Sequence, residues 1–535
     1  MKNAVVELLD TTLRDGSQAE GVNFSVFDKL QITERLDAFG IDLIEGGWPG
    51  SNPKDREYFQ QVKKLPLKHA TVCAFGSTAR RVDRVEQDTN LNLLLAAETP
   101  VITLFGKTWR LHSRESLGLS DVENARLIER SVRYLVRRGR RVIFDAEHFF
   151  DGFQEDPSFA LNMLSAAVNG GADTLVLCDT NGGSLPTDIV RITRAVCERF
   201  AVPIGIHAHN DGELAVANSL AAVEAGAVHV QGTINGFGER CGNANLVSII
   251  PNLTLKMKRQ FRYPIQLQGL TQLSNFVYEV ANLVPNIRAA YVGKAAFTHK
   301  GGIHVSSVLK NPRMYEHIPP QMVGNQRHVL VSDLSGQSNI RYKAKELGIA
   351  VAEDRTFSQK FVQRIKALEY QGFQFDGAEA SFELLLRAEL QEFSPYFAIT
   401  YAKVNVWLTE VQGEYSEAVL KVQVGQQEEH TASDGNGPVN ALDNALRKAL
   451  IRFYPEIAGV SLVDYKVRVL GERDGTAAKV RVLVETSDGE RSWSTVGVSH
   501  NIIQASLQAL SDALNYKIFY HRKGIAVAST VPQND

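Results

Sequence analysis

Cysteine is scarce in this sequence and never closely paired. Cys73, Cys178, Cys197 and Cys241 are widely separated and form no CxxC, which excludes a disulfide framework and a zinc knuckle and suits a reducing, cytoplasmic address. Long apolar runs are missing too: no stretch approaches the roughly 18 uninterrupted apolar residues of a membrane helix. The opening MKNAVVELLDTTLRDG lacks the basic segment, apolar core and cleavage site of a signal peptide, so neither secretion nor membrane spanning is expected. Charge of one sign is also absent. Lys and Arg number 58 against 60 Asp and Glu, a formal net charge of -2, and no single-sign tail exists, so neither a nucleic-acid nor a membrane partner is expected.

What is present is size and rhythm. A chain of 535 residues exceeds one ordinary core, so at least two folding units are expected, one of them large enough for a barrel. In the N-terminal half, short runs of Val, Ile and Leu alternate with segments of helical periodicity, which predicts parallel strands joined by helices. The candidate strands are AVVELLDTT, IDLIEGG, HATVCAFG, VITLFGK, RVIFDAEHF, DTLVLCDT, VPIGIHAH and VHVQGTI. A typical intervening helix is SVFDKLQITERLDAFG, with Ser25 as its cap and Gly40 as its stop. Eight such units predict an α/β fold of (β/α)8 TIM-barrel type, with an open doubly wound sheet as the structural alternative.

Residues 1–275 are assigned to the barrel, 276–400 to helical linker subdomains containing NIRYKAKELG and QKFVQRIKALEYQG, and 401–535 to a C-terminal α+β domain. The last carries an internal repeat. TASDGNGPVNALDNALRKAL and TVGVSHNIIQASLQALSDAL share Thr431/Thr495, Ala445/Ala509, Leu446/Leu510, Ala449/Ala513 and Leu450/Leu514 at a constant offset of 64. Two copies of a strand-plus-helix unit suggest one small pseudo-symmetric domain.

Polar residues sit where the predicted strands end: Arg14 and Asp15, then Glu45, Lys107, Glu147, Asp179 with Thr180, His207 with His209, and Thr233 with Asn235. In a TIM barrel these ends converge on one face, where active sites form. Residues two apart on a strand point the same way, so His207 and His209 can share one ion. Alone, such a pair is more commonly two polar residues on a solvated face. Asp15, one strand end away around the closed circle, adds the carboxylate that a divalent-metal site needs. An ion held this way can polarise the ketone of a 2-oxo acid. The fixed positive fork of Arg14 can bind a carboxylate or steady negative charge on oxygen; its ordinary alternative is a pair with a strand-end acid. Thr180 can donate to a substrate carboxylate. In GTINGFGERCGNANL, Gly236, Gly238 and Gly242 allow close backbone approach. The spacing is not a dinucleotide fingerprint, and both a phosphate cradle and an ordinary tight loop remain open, while Asn243 can place its side-chain oxygen beside the ion.

The stretches DTTLRDGSQAEG, HAHND and NGFGERCGNANL resemble the metal-dependent acyl-CoA condensing TIM barrels, the 2-isopropylmalate, homocitrate and citramalate synthases with the related hydroxymethylglutaryl-CoA lyases. GGIHVSSVLKNPRMY is similar to the synthases' helical subdomain, and the region from about 401 to their regulatory domain, which the lyases generally lack. The resemblance implies Asp15, His207, His209 and Asn243 around a divalent metal, Mn²⁺ or Mg²⁺ with Zn²⁺ or Co²⁺ as alternatives. It implies Arg14 and Glu147 as catalytic residues and Thr180 as a substrate contact. His304 and Tyr315 best fit the family's His and Tyr that reach in from the partner subunit of a homodimer. Here the chain departs from the isopropylmalate synthase pattern, having His304-Val305-Ser306 where that pattern has HQD. EGGWPGSNPKDREYF and FDAEHFFDGF are more similar to the citramalate branch, which implies pyruvate as the acceptor, acetyl-CoA as co-substrate and isoleucine as feedback inhibitor. Isopropylmalate or homocitrate synthesis and a non-catalytic, amino-acid-sensing barrel are the alternatives.

Overall fold

Runs that are apolar on both faces fold as parallel strands buried on both sides, and the eight predicted runs do so: β1 Val5–Asp10, β2 Leu43–Gly47, β3 Thr71–Ser77, β4 Val101–Lys107, β5 Arg141–Glu147, β6 Thr174–Asp179, β7 Ile204–Ala208 and β8 His229–Gly232. In this computed structural model, which describes residues 5–332, 334–350, 355–409, 413–470 and 477–524, β1 pairs in parallel with both β2 and β8. That double pairing closes the barrel. Every residue of β2, β6, β7 and β8 is buried. Alternate side chains go to opposite sides: Leu9, Leu43, Cys73, Val101, Ile143 and Val176 make one cluster, while Leu8, Ile44, Val72, Ile102, Phe144 and Leu175 join the larger core formed with the helices.

The predicted punctuation holds locally. The helix Val26–Phe39 begins with a capping box between Ser25 and Asp28 and stops at Gly40, whose φ of +102° is left-handed. A side chain there would also collide, because a Cβ would lie 2.6 Å from the Pro264 carbonyl oxygen. At the opposite ends of the strands, Glu7 of β1 accepts from both Arg141 terminal nitrogens at 2.8 and 2.9 Å and from His229 Nδ1 at 2.9 Å. Burial pushes the Glu7 carboxyl up, but these hydrogen bonds and charges outweigh it and hold it well below the usual carboxylate range.

The chain divides into two units, Met1–Phe297 with Ile318–Gln326, and Thr298–His317 with Arg327–Asp535. Within the second, strands Ala398–Thr409, Gly413–Val424 and Gln427–Gly435 form an antiparallel sheet followed by helix Pro438–Leu450. Strands Ser461–Leu470, Lys479–Ser487 and Ser492–Ser499 with helix Ile502–Arg522 repeat the plan. The repeat extends to single hydrogen bonds: Thr431 Oγ1 donates to Ala445 O at 3.0 Å, and Thr495 Oγ1 to Ala509 O at 2.8 Å. The same unit carries helices Gly302–Lys310, Gln337–Glu346, Arg355–Tyr370 and Glu379–Glu389. Among the described residues no helix is long and apolar enough to cross a membrane.

One buried ion pair braces the end of β2. Lys29 Nζ donates to Asp55 Oδ1 at 2.5 Å and to the Gly46 carbonyl at 3.0 Å, and Asp55 Oδ2 accepts from Trp48 N at 2.9 Å. Both side chains are almost inaccessible, at 2% and 7%. Lys29→Met would leave the Asp55 carboxylate without its counter-charge, so the barrel is expected to lose about 3 kcal/mol, read as a lower urea midpoint; an unchanged midpoint would show that the pair does not brace this strand end.

Candidate active site

Past the end of β1 the chain curls back over the barrel mouth. Thr11 N donates to Gly232 O at 2.9 Å and Gly16 N to Thr11 O at 3.0 Å, which brings Asp15 against the end of β7. There Asp15 Oδ2 lies 3.2 Å from His207 Nε2, and His207 Nε2 lies 3.4 Å from His209 Nε2. Asn243 Nδ2 sits 2.9 Å from Asp15 Oδ2 and 3.2 Å from His207 Nε2. All four residues are at most 7% exposed.

These residues fit a divalent cation. Donor atoms of Asp15, His207 and His209 lie within 4.8 Å of one another, and imidazole with carboxylate suits several such ions. His209 Nδ1 and Asn243 Oδ1 are buried without a hydrogen-bond partner, a state that costs about 1–3 kcal/mol per group unless something else satisfies it. Burial, then the neighbouring His207, push the His209 imidazole down to about 4, so it is neutral and able to offer a lone pair at neutral pH. Burial opposes ionisation of Asp15, but Arg14 and His207 outweigh it and hold the carboxyl far below its ordinary value.

The glycine-rich loop after β8 packs closely against Asn243. A Cβ at Gly238 would lie 1.9 Å from Asn243 Oδ1, and one at Gly242, whose φ is +92°, would lie 2.0 Å from Gly236 O. The backbone amides of Gly242, Asn243 and Ala244 donate to Glu239 O, Gly236 O and Ala208 O at 2.9, 3.1 and 2.8 Å. They are engaged within the fold, which favours the tight-loop reading over a phosphate cradle at these positions.

Arg14 is fixed beside the cluster. Its Nε donates to Glu45 Oε2 at 2.5 Å, its Nη1 lies 3.4 Å from Asp15 Oδ2, and its guanidinium lies 3.7 Å from the Phe75 ring centroid. Glu45, fully buried, also accepts from Thr11 Oγ1 at 2.6 Å and Thr103 Oγ1 at 2.5 Å. Burial disfavours the charged guanidinium, but Asp15 and Glu45 more than offset it and raise its pKa above the ordinary value. On neighbouring strand ends, Glu147 pairs with Lys107, and Thr180 Oγ1 accepts from His148 N at 2.9 Å, leaving its own hydroxyl hydrogen to donate. His304 and Tyr315 belong to the second unit, where their rings stack with centroids 4.2 Å apart.

Sequence reasoning gave no role to Gln231, Asp145, Thr103 or Phe75. The available signal was a polar residue inside a run that must be buried on both faces, as in VHVQGTI and RVIFDAEHF, since a buried polar group requires a partner.

Residues 5–277 match the HMGL-like family, 291–372 the homocitrate synthase post-HMGL domain-like family, and 376–518 the LeuA allosteric (dimerisation) domain. An (R)-citramalate synthase from Geobacter sulfurreducens is 53% identical over 96% of this chain and 98% of its own length. One from Aquifex aeolicus is 52% identical, again over 96% and 98%. A 2-isopropylmalate synthase from Methanocaldococcus jannaschii is 31% identical over 95% of this chain and 94% of its own.

The contact between Gly238 and Asn243 generates a test. Gly238→Ala is expected to displace the Asn243 amide and weaken Mn²⁺ binding by about tenfold or more in isothermal titration; an unchanged dissociation constant would mean that Asn243 takes no part in the site.

Proposed function

The chain belongs to the (R)-citramalate synthase family of HMGL-like barrels, and we infer that its barrel condenses acetyl-CoA with pyruvate and hydrolyses the thioester, releasing citramalate and CoA. The single observation that carries the chemistry is the convergence of Asp15, His207, His209 and Asn243 beside the charged Arg14. In the reaction the acetyl methyl group gives up a proton, and its carbon bonds to the ketone carbon of pyruvate. The ketone oxygen takes up a proton to become a tertiary hydroxyl, and water cleaves the thioester C–S bond.

A divalent cation, Mn²⁺ or Mg²⁺ in this reading and Zn²⁺ or Co²⁺ otherwise, would be held by Asp15, His207 and His209 with Asn243 beside them, and would supply Lewis-acid polarisation of the ketone. Arg14 has its Nε committed to Glu45, so its terminal nitrogens are the ones left for pyruvate's carboxylate or for negative charge developing on the ketone oxygen. Thr180 donates its free hydroxyl hydrogen to the carboxylate. We assign removal of the methyl proton to His304 of the partner subunit, with Tyr315 stacked on it and Glu147 assisting. The match to a LeuA allosteric (dimerisation) domain supports a homodimer regulated through the second unit, and isoleucine is our assignment for the inhibitor on the family resemblance alone. The lower identity of the isopropylmalate synthase, 31% against 53%, favours pyruvate over a branched 2-oxo acid, and the complete donor set favours catalysis over sensing.

Thiol release from acetyl-CoA tests the reading. With Mn²⁺, pyruvate is expected to outrun 2-oxobutyrate, 2-oxoisovalerate and 2-oxoglutarate, and chelator to stop the reaction; preference for a longer acid would move the chain to a sister activity. Arg14→Ala is expected to lower kcat by about 10²–10³, and near-normal turnover would remove Arg14 from the mechanism. Isoleucine is expected to inhibit the full-length enzyme more than leucine or valine does, and equal insensitivity to all of them would sink the effector assignment.

A further inference from the structure

Three buried groups close around the side-chain amide of Gln231 inside the barrel. Gln231 Nε2 lies 3.0 Å from Asp145 Oδ1 of β5 and 3.4 Å from His229 Nε2, while Oε1 lies 2.8 Å from His207 Nδ1. Gln231 is wholly buried, and Asp145 and His229 nearly so. The directions of these bonds follow from the barrel floor upward. The Glu7 carboxylate accepts from His229 Nδ1 at 2.9 Å, so the neutral form of that ring carries its hydrogen on Nδ1 and offers Nε2 as an acceptor. Asp145 Oδ1 is the second acceptor. Both amide hydrogens of Gln231 therefore have destinations, and only its carbonyl oxygen can face His207.

We propose that Gln231 is the positioning residue of the metal centre: its carbonyl accepts the Nδ1 hydrogen of His207 and turns Nε2 toward Asp15, His209 and Asn243, while Asp145 and His229 fix Gln231. The proposal rests on the metal reading given above. His207 then meets the ion with its ring orientation already set, through the nitrogen opposite Gln231. A hydrogen-bonded chain through the barrel interior, Glu7 to His229 to Gln231 to His207, thus connects the floor to the mouth.

The test uses the full-length, metal-free protein labelled with ¹⁵N-histidine, with the His207 signals identified by their loss in His207→Asn. Gln231→Met keeps the side-chain length and removes the acceptor. At a pH that leaves the His207 ring neutral, wild type is expected to show hydrogen on Nδ1 of His207, and Gln231→Met a mixture of tautomers. Mn²⁺ titration is expected to give Gln231→Met a Kd weakened about 10–100-fold. Should Gln231→Met not fold, Asp145→Leu releases the amide from its anchor and is expected to shift both readouts in the same direction. A wild-type tautomer and wild-type Kd in Gln231→Met, or in Asp145→Leu if that is the variant that folds, would overturn the proposal. If wild type takes up no Mn²⁺ yet the tautomer follows residue 231, the metal reading falls and the positioning of His207 by Gln231 stands.

Discussion

A permanently charged guanidinium sits at the mouth of the barrel with its side chain only 13% exposed, and a charge so placed survives only if it is paired and its partners are themselves hydrogen-bonded. Arg14 meets that condition through Glu45 and Asp15, with the face of Phe75 beneath it. Glu45 in turn is saturated by Thr11 and Thr103. One buried cation thereby links the ends of β1, β2, β3 and β4, and it sets the place of Asp15, the carboxylate that faces the two imidazoles. The charges that would bind and polarise a 2-oxo acid are in position before any substrate arrives, which is the arrangement that makes electrostatic stabilisation effective in a site with little water.

The barrel carries polar structure at two levels. On the floor, Glu7 joins β1 to β5 and β8 through Arg141 and His229. At the mouth, the glycine loop presses Asn243 against β7, and its glycines are required because any Cβ at 238 or 242 would occupy space already filled. Between the levels, Gln231 and Asp145 pass hydrogen bonds through an interior that they share with the apolar cluster of Leu9, Leu43, Val101, Ile143 and Val176. Networks of this kind fix a unique arrangement when every member is satisfied. The unpartnered atoms of His209 and Asn243 stand out against that background, and both belong to residues that border the cluster of Asp15 and His207.

Much of this was legible in the sequence, for identifiable reasons. Strands buried on both faces must be continuously apolar, so all eight stood out, as did the helix bounded by Ser25 and Gly40. The Thr431/Thr495 correspondence survives as equivalent hydrogen bonds, because the same packing problem is solved twice. His207 and His209 were legible through the two-residue period of a strand. Gln231 and Asp145 were not assigned, since their partners lie on strands remote in sequence and become neighbours only when the barrel closes. The loop glycines were legible as freedom of backbone, but not as a seat for Asn243. His304 and Tyr315 are placed by the structure in the second unit, so their roles follow from family resemblance and from the chemistry required.

The central claim is that His207 and His209 hold a divalent ion on which the keto acid depends. Electron spin-echo envelope modulation of the full-length protein loaded with Mn²⁺ addresses it directly, with pyruvate carrying ¹³C at its carboxylate and ketone carbons. The account predicts ¹⁴N modulation from both imidazoles, reduced to that of one in His207→Asn, together with ¹³C coupling to the labelled pyruvate. Nitrogen modulation that is absent, or that is indifferent to loss of His207 and of His209, would contradict it.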